Sequence, residues 1–376
     1  MPRILIVTGE ASGDLHGANL AIALRKLKPD VRLFGAGGFH MKAAGVELIP
    51  GMERLDAVGV LGLKEIRKGL SNLFRLRRFL RQEKLDAVVL IDNPGTNLRL
   101  ARIAARIGHR VIYYIAPQIW AWGARRMKLI RRVVHRMIVI LPFEESLFRN
   151  AGVACDFVGH PLLDTLAPAY DKNSLRHQLG LPRDELVIGL LPGSRVPEVR
   201  TLLPPMIQAV KHIARFYPGI QCVIGRASSI SEDLIESVLD RTGLQVTVTG
   251  NHTNEVMATS DLLLVASGTA TLQAALIGTP MVITYRLSWL TYQVAKRLVT
   301  VKYIGLVNLV AGRGIVPELI QDEATAEKLS EEALMLLRDQ GLCKRMREAF
   351  RAIRGELGTP GASTRAAHIV LAECQG

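Results

Sequence analysis

The sequence predicts an α/β protein made of two doubly wound parallel sheets in one chain. Three observations lead there. Short apolar runs alternate with helical patterns, the alternation starts afresh near residue 187, and a turn-rich stretch separates the halves. A chain of 376 residues, 49% of them hydrophobic, is long enough to bury two cores.

In the first half, strands are expected at 4–7, 31–35, 87–91, 111–115, 137–141 and 156–158. Helices are expected near 17–28, 39–45, 63–84, 95–108, 123–134 and 143–150. The second half offers strands at 187–191, 221–225, 245–248, 262–265 and 281–285, again separated by helical patterns. The linker is read at 161–182, where Pro168, Asp171, Asn173 and Ser174 favour turns. A helical stretch over 329–374 breaks near 355–361, so that the last helix turns back toward the first domain. The expected domains are therefore 1–165 and 166–350, with a returning helix at 351–376.

Composition narrows the partners. Lys+Arg number 48 against 34 Asp+Glu, a formal charge of +14 that calls for an anionic partner: nucleic acid, acidic lipid or phosphorylated substrate. Cys155, Cys222, Cys343 and Cys374 have no metal-clip or CxxC spacing and read as reduced thiols. The run 4–7 ends at Thr8-Gly9-Glu10, which suits a strand and loop better than a signal core. The uncharged stretch 262–285 contains Ser267, Gly268, Gly278 and Pro280; it reads as strand, loop, helix, strand and not as a membrane span.

Four loops at expected strand ends carry chemistry. The first is TGEASGDLHG (8–17). Open parallel sheets bind ligands beyond the carboxyl ends of their strands. Gly9, Gly13 and Gly17 permit close backbone approach, and Glu10, Asp14 and His16 supply titratable groups. A helix cap at Ser12 or Asp14 explains the same residues. The glycine spacing is not the dinucleotide fingerprint, and no acidic residue ends the second strand. The second loop, IDNPGTN (91–97), brings Asp92 to the sheet edge of Glu10, where a carboxylate takes a proton from an attacking hydroxyl. Here too a helix cap is the alternative.

The third loop is LPGSR (191–195), followed by Glu198. Gly193 and Ser194 open a helix and cradle an anion with backbone N–H groups, while Arg195 adds a donor fork suited to a diphosphate. The fourth, ASGTATLQ (266–273), also opens a helix. Ser267, Gly268, Thr269, Ala270 and Thr271 suit phosphate, and Gln273, one turn inside, reaches a ribose hydroxyl; a structural cap remains the plain alternative.

A basic amphipathic segment follows residue 63. Leu63, Ile66, Leu70, Leu73, Phe74 and Leu80 form one face, and Lys64, Arg67, Lys68, Arg75 and Arg78 another. Leu76 and Phe79 fall outside the apolar stripe and are expected to be exposed beside the charges, a pattern suited to an anionic membrane or an acylated ligand. A core helix with a solvated basic face is the bland reading. Trp289, Leu290 and Tyr292 are added as apolar candidates for chain binding. Arg125, Arg126, Lys128, Arg131 and Arg132 follow Trp120-Ala121-Trp122, without any recognised RNA- or DNA-binding motif.

Taken together, the chain resembles the lipid-A-disaccharide synthase family. The matching stretches are GEASGDLHGANL (9–20), AVGVLGLKEI (57–66), IDNPGTNLRLA (91–101), PQIWAWGARRMKLI (117–130), LPFEESLF (141–148), FVGHPLLD (157–164), LLPGSR (190–195), ASGTATLQAAL (266–276) and NLVAGRGIVPELIQ (308–321). The resemblance implies a glycosyltransferase-B fold, two Rossmann-like domains facing across a cleft that closes to exclude water. It implies inverting transfer of 2,3-diacylglucosamine from UDP to the 6-hydroxyl of 2,3-diacylglucosamine 1-phosphate, giving a β-1,6 disaccharide phosphate and UDP. The first domain would take the acylated acceptor and the second the UDP-sugar. Asp92, Glu10, Asp14 and His16 become the catalytic candidates, and Asn308 joins the nucleotide-binding set. No metal or other cofactor is implied. The expected location is cytoplasmic, peripheral at the inner face of the inner membrane, with an anionic membrane and no nucleic acid as partner; pairing of two copies stays open. Two positions depart from the family: Gln273 replaces the usual Glu, and Gly95 stands where some relatives carry a second Asp. The nearest rival is another enzyme on the same scaffold, such as a UDP-N-acetylglucosamine epimerase.

Overall fold

The computed structural model describes residues 1–52, 63–122, 124–239, 244, 246–250, 252–288, 291–293 and 301–375. The chain divides into two compact units. The first comprises Met1–Thr165 with Leu357–Gly376, the second Leu166–Glu356.

The first unit holds β1 (Arg3–Val7), β2 (Arg32–Ala36), β3 (Glu47–Leu48), β4 (Ala87–Ile91), β5 (Val111–Tyr114), β6 (Arg136–Val139) and β7 (Cys155–Phe157). Their spatial order is β3-β2-β1-β4-β5-β6-β7, and each neighbouring pair is parallel. Strand periodicity divides the core into two layers. Leu5, Val7, Val88 and Leu90 point to one face with Leu76, Leu80, Leu98 and Ile130. Ile4, Ile6, Val89 and Ile91 point to the other, where Leu20, Leu24, Ala366 and Val370 cover them. A strand buried on both faces is apolar throughout, which is why β1 and β4 read as unbroken hydrophobic runs.

The final helix, Ala362–Glu373, belongs to this first unit, after a break at 357–361. Arg136 Nε donates to Glu373 Oε1 at 2.8 Å, and Arg365 Nε donates to the Val158 carbonyl at 2.8 Å. The preceding helix Gln340–Glu356 stays with the second unit.

The second unit holds β8 (Val187–Leu191), β9 (Gln221–Arg226), β10 (Thr247–Gly250), β11 (Leu262–Ala266), β12 (Met281–Tyr285) and β13 (Glu318–Ile320). The order is β10-β9-β8-β11-β12-β13, again parallel throughout. The stretch 262–285 is β11, helix Thr269–Ile277 and β12. Among the described residues, no helix is long and apolar enough to cross a membrane.

Two expectations fail for reasons of packing. The first helix spans Ala11–Leu27, six residues earlier than its apolar pattern suggests. Gly13 and Gly17 lie inside it, because a Cβ at Gly13 would come 3.2 Å from Thr8 and one at Gly17 would come 2.7 Å from Met41 Sδ. These glycines admit protein neighbours, not a ligand. The basic helix Leu63–Gln82 also sits in a different rotation from the one expected. Leu76 and Leu80 are buried and Phe79 packs edge-on against Phe34 at 5.4 Å, whereas Phe74 is 67% exposed. The inward stripe is thus 73, 76, 80, at three- and four-residue spacing. The side chains at 63–68 and 70, and Trp289 and Leu290, lie outside the described residues.

Candidate active site

In the first sheet the chain departs from β1 toward β2 and from β4 toward β5, so the loops beyond β1 and β4 diverge at the topological switch point. Glu10 and Asp92 sit on these two loops. The loops touch: a Cβ on Gly9 would fall 1.7 Å from Asn93 Nδ2. Asp92 and Asn93 are left-handed, with φ of 48° and 43°, and Ile115 at the end of β5 has φ of 63°. Such backbone is unfavourable for non-glycine residues and persists only where neighbours fix it. Here Asn97 Nδ2 donates to the carbonyls of Ile91 and Asp92 at 2.9 and 2.8 Å, and the Tyr113 hydroxyl donates to Asp92 as well.

Asp92 is half-buried. Burial pushes its carboxyl above the usual range; the Asn93 N–H opposes this, and the negative charge of Glu10 adds to it. A carboxylate with enhanced proton affinity at a sheet edge suits general-base work. Glu10 itself is exposed.

The other two acid–base candidates sit differently. Asp14 is buried, and its carboxylate accepts the N–H groups of Gly38, His40 and Met41 at 2.7, 2.9 and 3.2 Å. It caps helix Phe39–Ala43, so its oxygens are occupied and the acid–base reading of Asp14 is revised to that of an anchor. Burial lowers His16 to about 4, so the ring is neutral near pH 7. His160, lowered to about 3 by burial and by His16, is also neutral and accepts the Leu162 N–H at 3.1 Å through Nδ1. His16 Nδ1 has no hydrogen-bond partner among the described residues. That nitrogen is buried, and the lowered proton affinity makes the ring a poor base.

Sequence reasoning assigned no role to Glu144, Trp120 or His160. Glu144, just beyond β6, accepts the Trp120 indole N–H at 3.0 Å and the Leu141 N–H at 3.3 Å. Its sequence signals were its place at the start of the helix after β6 and within the stretch LPFEESLF (141–148).

The second unit repeats the arrangement. Its switch point lies between β8 and β11, and the loops beyond these strands are 192–195 and 267–268. Gly193 is left-handed (φ 111°), and a Cβ there would lie 2.5 Å from Glu198 Oε2. The Glu198 carboxylate accepts the N–H groups of Ser194 and Arg195 at 3.2 and 3.3 Å and pairs with Arg195 Nη1 at 3.0 Å. The expected backbone cradle at 193–195 is therefore filled by the protein's own carboxylate. What the loop presents outward is the Arg195 side chain, 65% exposed.

The β11 loop is more open. Among the described residues, its two chain neighbours aside, no heavy atom lies within 4 Å of a Cβ built on Gly268 (φ 153°). Thr271 turns its N–H and hydroxyl back onto the Gly268 carbonyl at 3.1 and 2.8 Å, and the Ser267 hydroxyl donates to Ile304. The Thr269 and Ala270 N–H groups, at the start of helix Thr269–Ile277, have no protein acceptor among the described residues. Donors left open at a helix start are of the kind that can meet an anion. Gln273 donates to Asn254 Oδ1, which leaves its own carbonyl oxygen as an acceptor.

Asn308 does not fit a nucleotide-binding role. It is fully buried, its Nδ2 donates to the Val316 carbonyl and Glu318 Oε1 at 2.8 Å each, and its Oδ1 accepts the Ile315 and Val316 N–H groups at 2.9 and 3.0 Å. All four hydrogen-bonding positions of the amide are occupied. It anchors the segment that ends in β13.

Comparison with known proteins bears on the family and the fold. A family model described as lipid-A-disaccharide synthetase matches residues 4–370. The lipid-A-disaccharide synthase of Geobacter metallireducens is 42% identical over 373 residues, covering 98% of this chain and 96% of the relative. Among solved structures, UDP-GlcNAc 2-epimerase from Neisseria meningitidis bound to UDP-GlcNAc aligns with a TM-score of 0.69 at 12% identity, covering 98% of this chain and 100% of that one. A glycosyltransferase from Rickettsia africae aligns with a TM-score of 0.60 at 12% identity, covering 100% and 98%. At that identity the structural likeness speaks for the glycosyltransferase-B fold alone, whereas the family match spans nearly the whole sequence: the chain belongs to the lipid-A-disaccharide synthase family of glycosyltransferases.

Proposed function

We propose that the chain transfers 2,3-diacylglucosamine from UDP to the 6-hydroxyl of 2,3-diacylglucosamine 1-phosphate with inversion. Asp92 takes the proton of that hydroxyl. The freed oxygen attacks the anomeric carbon from the face opposite the diphosphate, the bond to the diphosphate oxygen breaks, and UDP leaves with the electron pair. Glu10 and His16 orient the acceptor, and Asp14 holds the loop that carries them.

The second unit binds the UDP-sugar in this reading. The Arg195 guanidinium and the N–H groups of Thr269 and Ala270 meet the growing negative charge of the diphosphate, and the Gln273 oxygen accepts a ribose hydroxyl. No metal or other cofactor takes part. The observation that carries the proposal is the complementary chemistry of the two switch points: a half-buried carboxylate of raised proton affinity at one, exposed guanidinium and unpaired helix-start donors at the other. Structural relatives crystallised with UDP-GlcNAc or with UDP support the nucleotide assignment.

Acylated substrates lie in an anionic bilayer. Phe74, exposed beside Arg77, Arg78 and Arg81, is the proposed contact with that surface, at its inner cytoplasmic face. The test is to incubate purified protein with both acylated sugars and detect the disaccharide phosphate by mass spectrometry. Asp92→Ala should fold and lose ~10²–10⁴-fold in kcat, and Arg195→Ala should likewise be nearly inactive. Turnover of soluble UDP-GlcNAc without a lipid acceptor, and no disaccharide, would overturn the assignment.

A further inference from the structure

The mechanism leaves one buried acid without a task. Glu144 is 2% exposed, yet it has the means to ionise. The Trp120 indole N–H at 3.0 Å and the Leu141 N–H at 3.3 Å both point at its carboxylate. The Trp120 ring also packs edge-on against Phe143 at 5.2 Å. Glu144 follows β6, Trp120 follows β5 and Asp92 follows β4, three consecutive neighbours in the sheet. Both carboxyls therefore lie at one sheet edge.

We propose that Glu144 is a positioning residue that acts through Asp92: a second, buried carboxyl whose charge sets how strongly Asp92 pulls the acceptor proton. The inference rests on Asp92 being the base. Burial pushes Glu144 up to about 7 against the opposing bonds from Trp120 and the main chain, and the Asp92 charge raises it further. Asp92 thus ionises first, beside a neutral Glu144, and Glu144 ionises second, near neutrality. The pair titrates in two macroscopic steps. Above the second step, Asp92 faces a negative neighbour and binds a proton more strongly, which favours base catalysis.

Glu10, on the loop beyond β1, also acts on Asp92 and raises its proton affinity in the same sense. The remaining neighbours weigh less on the pair. The Cys155 thiol on β7 is itself pushed up to about 12 and stays neutral. Glu145 and Arg149 lie on the helix of Glu144 and pair with each other at 2.8 Å. Asp156 pairs with Arg136 at 3.3 Å. Arg126 acts on Tyr113, the residue that holds Asp92.

The experiment is the pH dependence of kcat for wild type, Glu144→Gln, Trp120→Phe and Asp92→Ala, with folding checked by circular dichroism. Wild type should show a low plateau, then a step near pH 7 to a higher one. If the charge changes the proton affinity of Asp92 by one unit, the step is roughly threefold at half-completed proton transfer. Glu144→Gln keeps an acceptor for the indole and should lose the step, remaining on the low plateau. Trp120→Phe removes a donor that favours the charged form, so the step should move to higher pH. A merely structural Glu144 would lower kcat equally at every pH, and that result, or an unmoved step in Trp120→Phe, overturns the proposal. Wild-type turnover by Asp92→Ala would instead remove the base on which it rests, so the two failures are distinguishable.

Discussion

The Tyr113 hydroxyl donates to the main-chain carbonyl of Asp92 at 2.6 Å, from a side chain with no exposure at all. Burial holds the phenol far above its ordinary range, so it remains a donor at any working pH. The same carbonyl also accepts Asn97 Nδ2 at 2.8 Å. Together they fix the left-handed turn that carries the proposed base.

Tyr113→Phe should therefore be mild in stability and plain in rate. Asn97 still satisfies the carbonyl, so the loss is about 1 kcal/mol. The freed turn should lower kcat more than it changes KM. Asn97→Ala should be worse in both respects, because it also strips the Ile91 carbonyl of its side-chain donor. Urea unfolding midpoints and steady-state kinetics on the two variants check the order.

Membrane contact separates two residues that are neighbours in sequence. Leu76 is 2% exposed and Phe74 67%. Leu76→Ser puts a hydroxyl and a cavity into the core and should cost roughly 2–5 kcal/mol. Phe74→Ser should leave the unfolding midpoint within the error of measurement while reducing binding to phosphatidylglycerol vesicles. Unchanged partitioning of Phe74→Ser would count against contact at this face.

How far the sequence discloses the site depends on the distance over which each residue is satisfied. The central strands β1, β4, β8 and β11 are buried on both faces and announce themselves as apolar runs. The loops after them, with Asp92, Arg195 and Gly268, follow directly. The edge strands β3 and β13, of two and three residues, are too short for any period to show. Asp14 meets its donors 24 to 27 residues away, at Gly38, His40 and Met41, and no local pattern reveals them. Glu198 is the opposite case: it stands three residues after Arg195, a spacing that signals a cap, and the phosphate reading of the loop obscured it. The rotation of the basic helix turned on which side Leu76 faces, a choice made by Phe34 and its neighbours in space and not by the helix itself.

Asn308 offers a test of anchor against ligand contact. Removing its side chain leaves the Ile315 and Val316 N–H groups and the Val316 carbonyl short of partners, while the Glu318 oxygen keeps the Gly305 N–H. Each buried group left unmet costs about 1–3 kcal/mol, so Asn308→Ala should lose several kcal/mol of stability. In the folded fraction at low temperature, UDP affinity by calorimetry should stay within about twofold of wild type, a change of less than half a kcal/mol. A large affinity loss with an unchanged melting temperature would restore Asn308 to the nucleotide site.

The paired imidazoles predict how the fold responds to acid. His16 and His160 are held near 4 and 3 in the folded protein, below the ordinary 6.5 of the unfolded chain. Between those values the unfolded state binds protons that the native state refuses, so stability falls as pH falls. The loss begins near pH 6.5 and continues to about pH 4 for His16 and about 3 for His160. Each neutral ring contributes about 1.4 kcal/mol of loss per pH unit inside its window. His160→Gln keeps an acceptor for the Leu162 N–H and removes the titration, so its urea midpoint should depend less on pH between 6.5 and 4 than that of wild type. Parallel curves for the two proteins would mean that another group, and not this histidine, governs the acid transition.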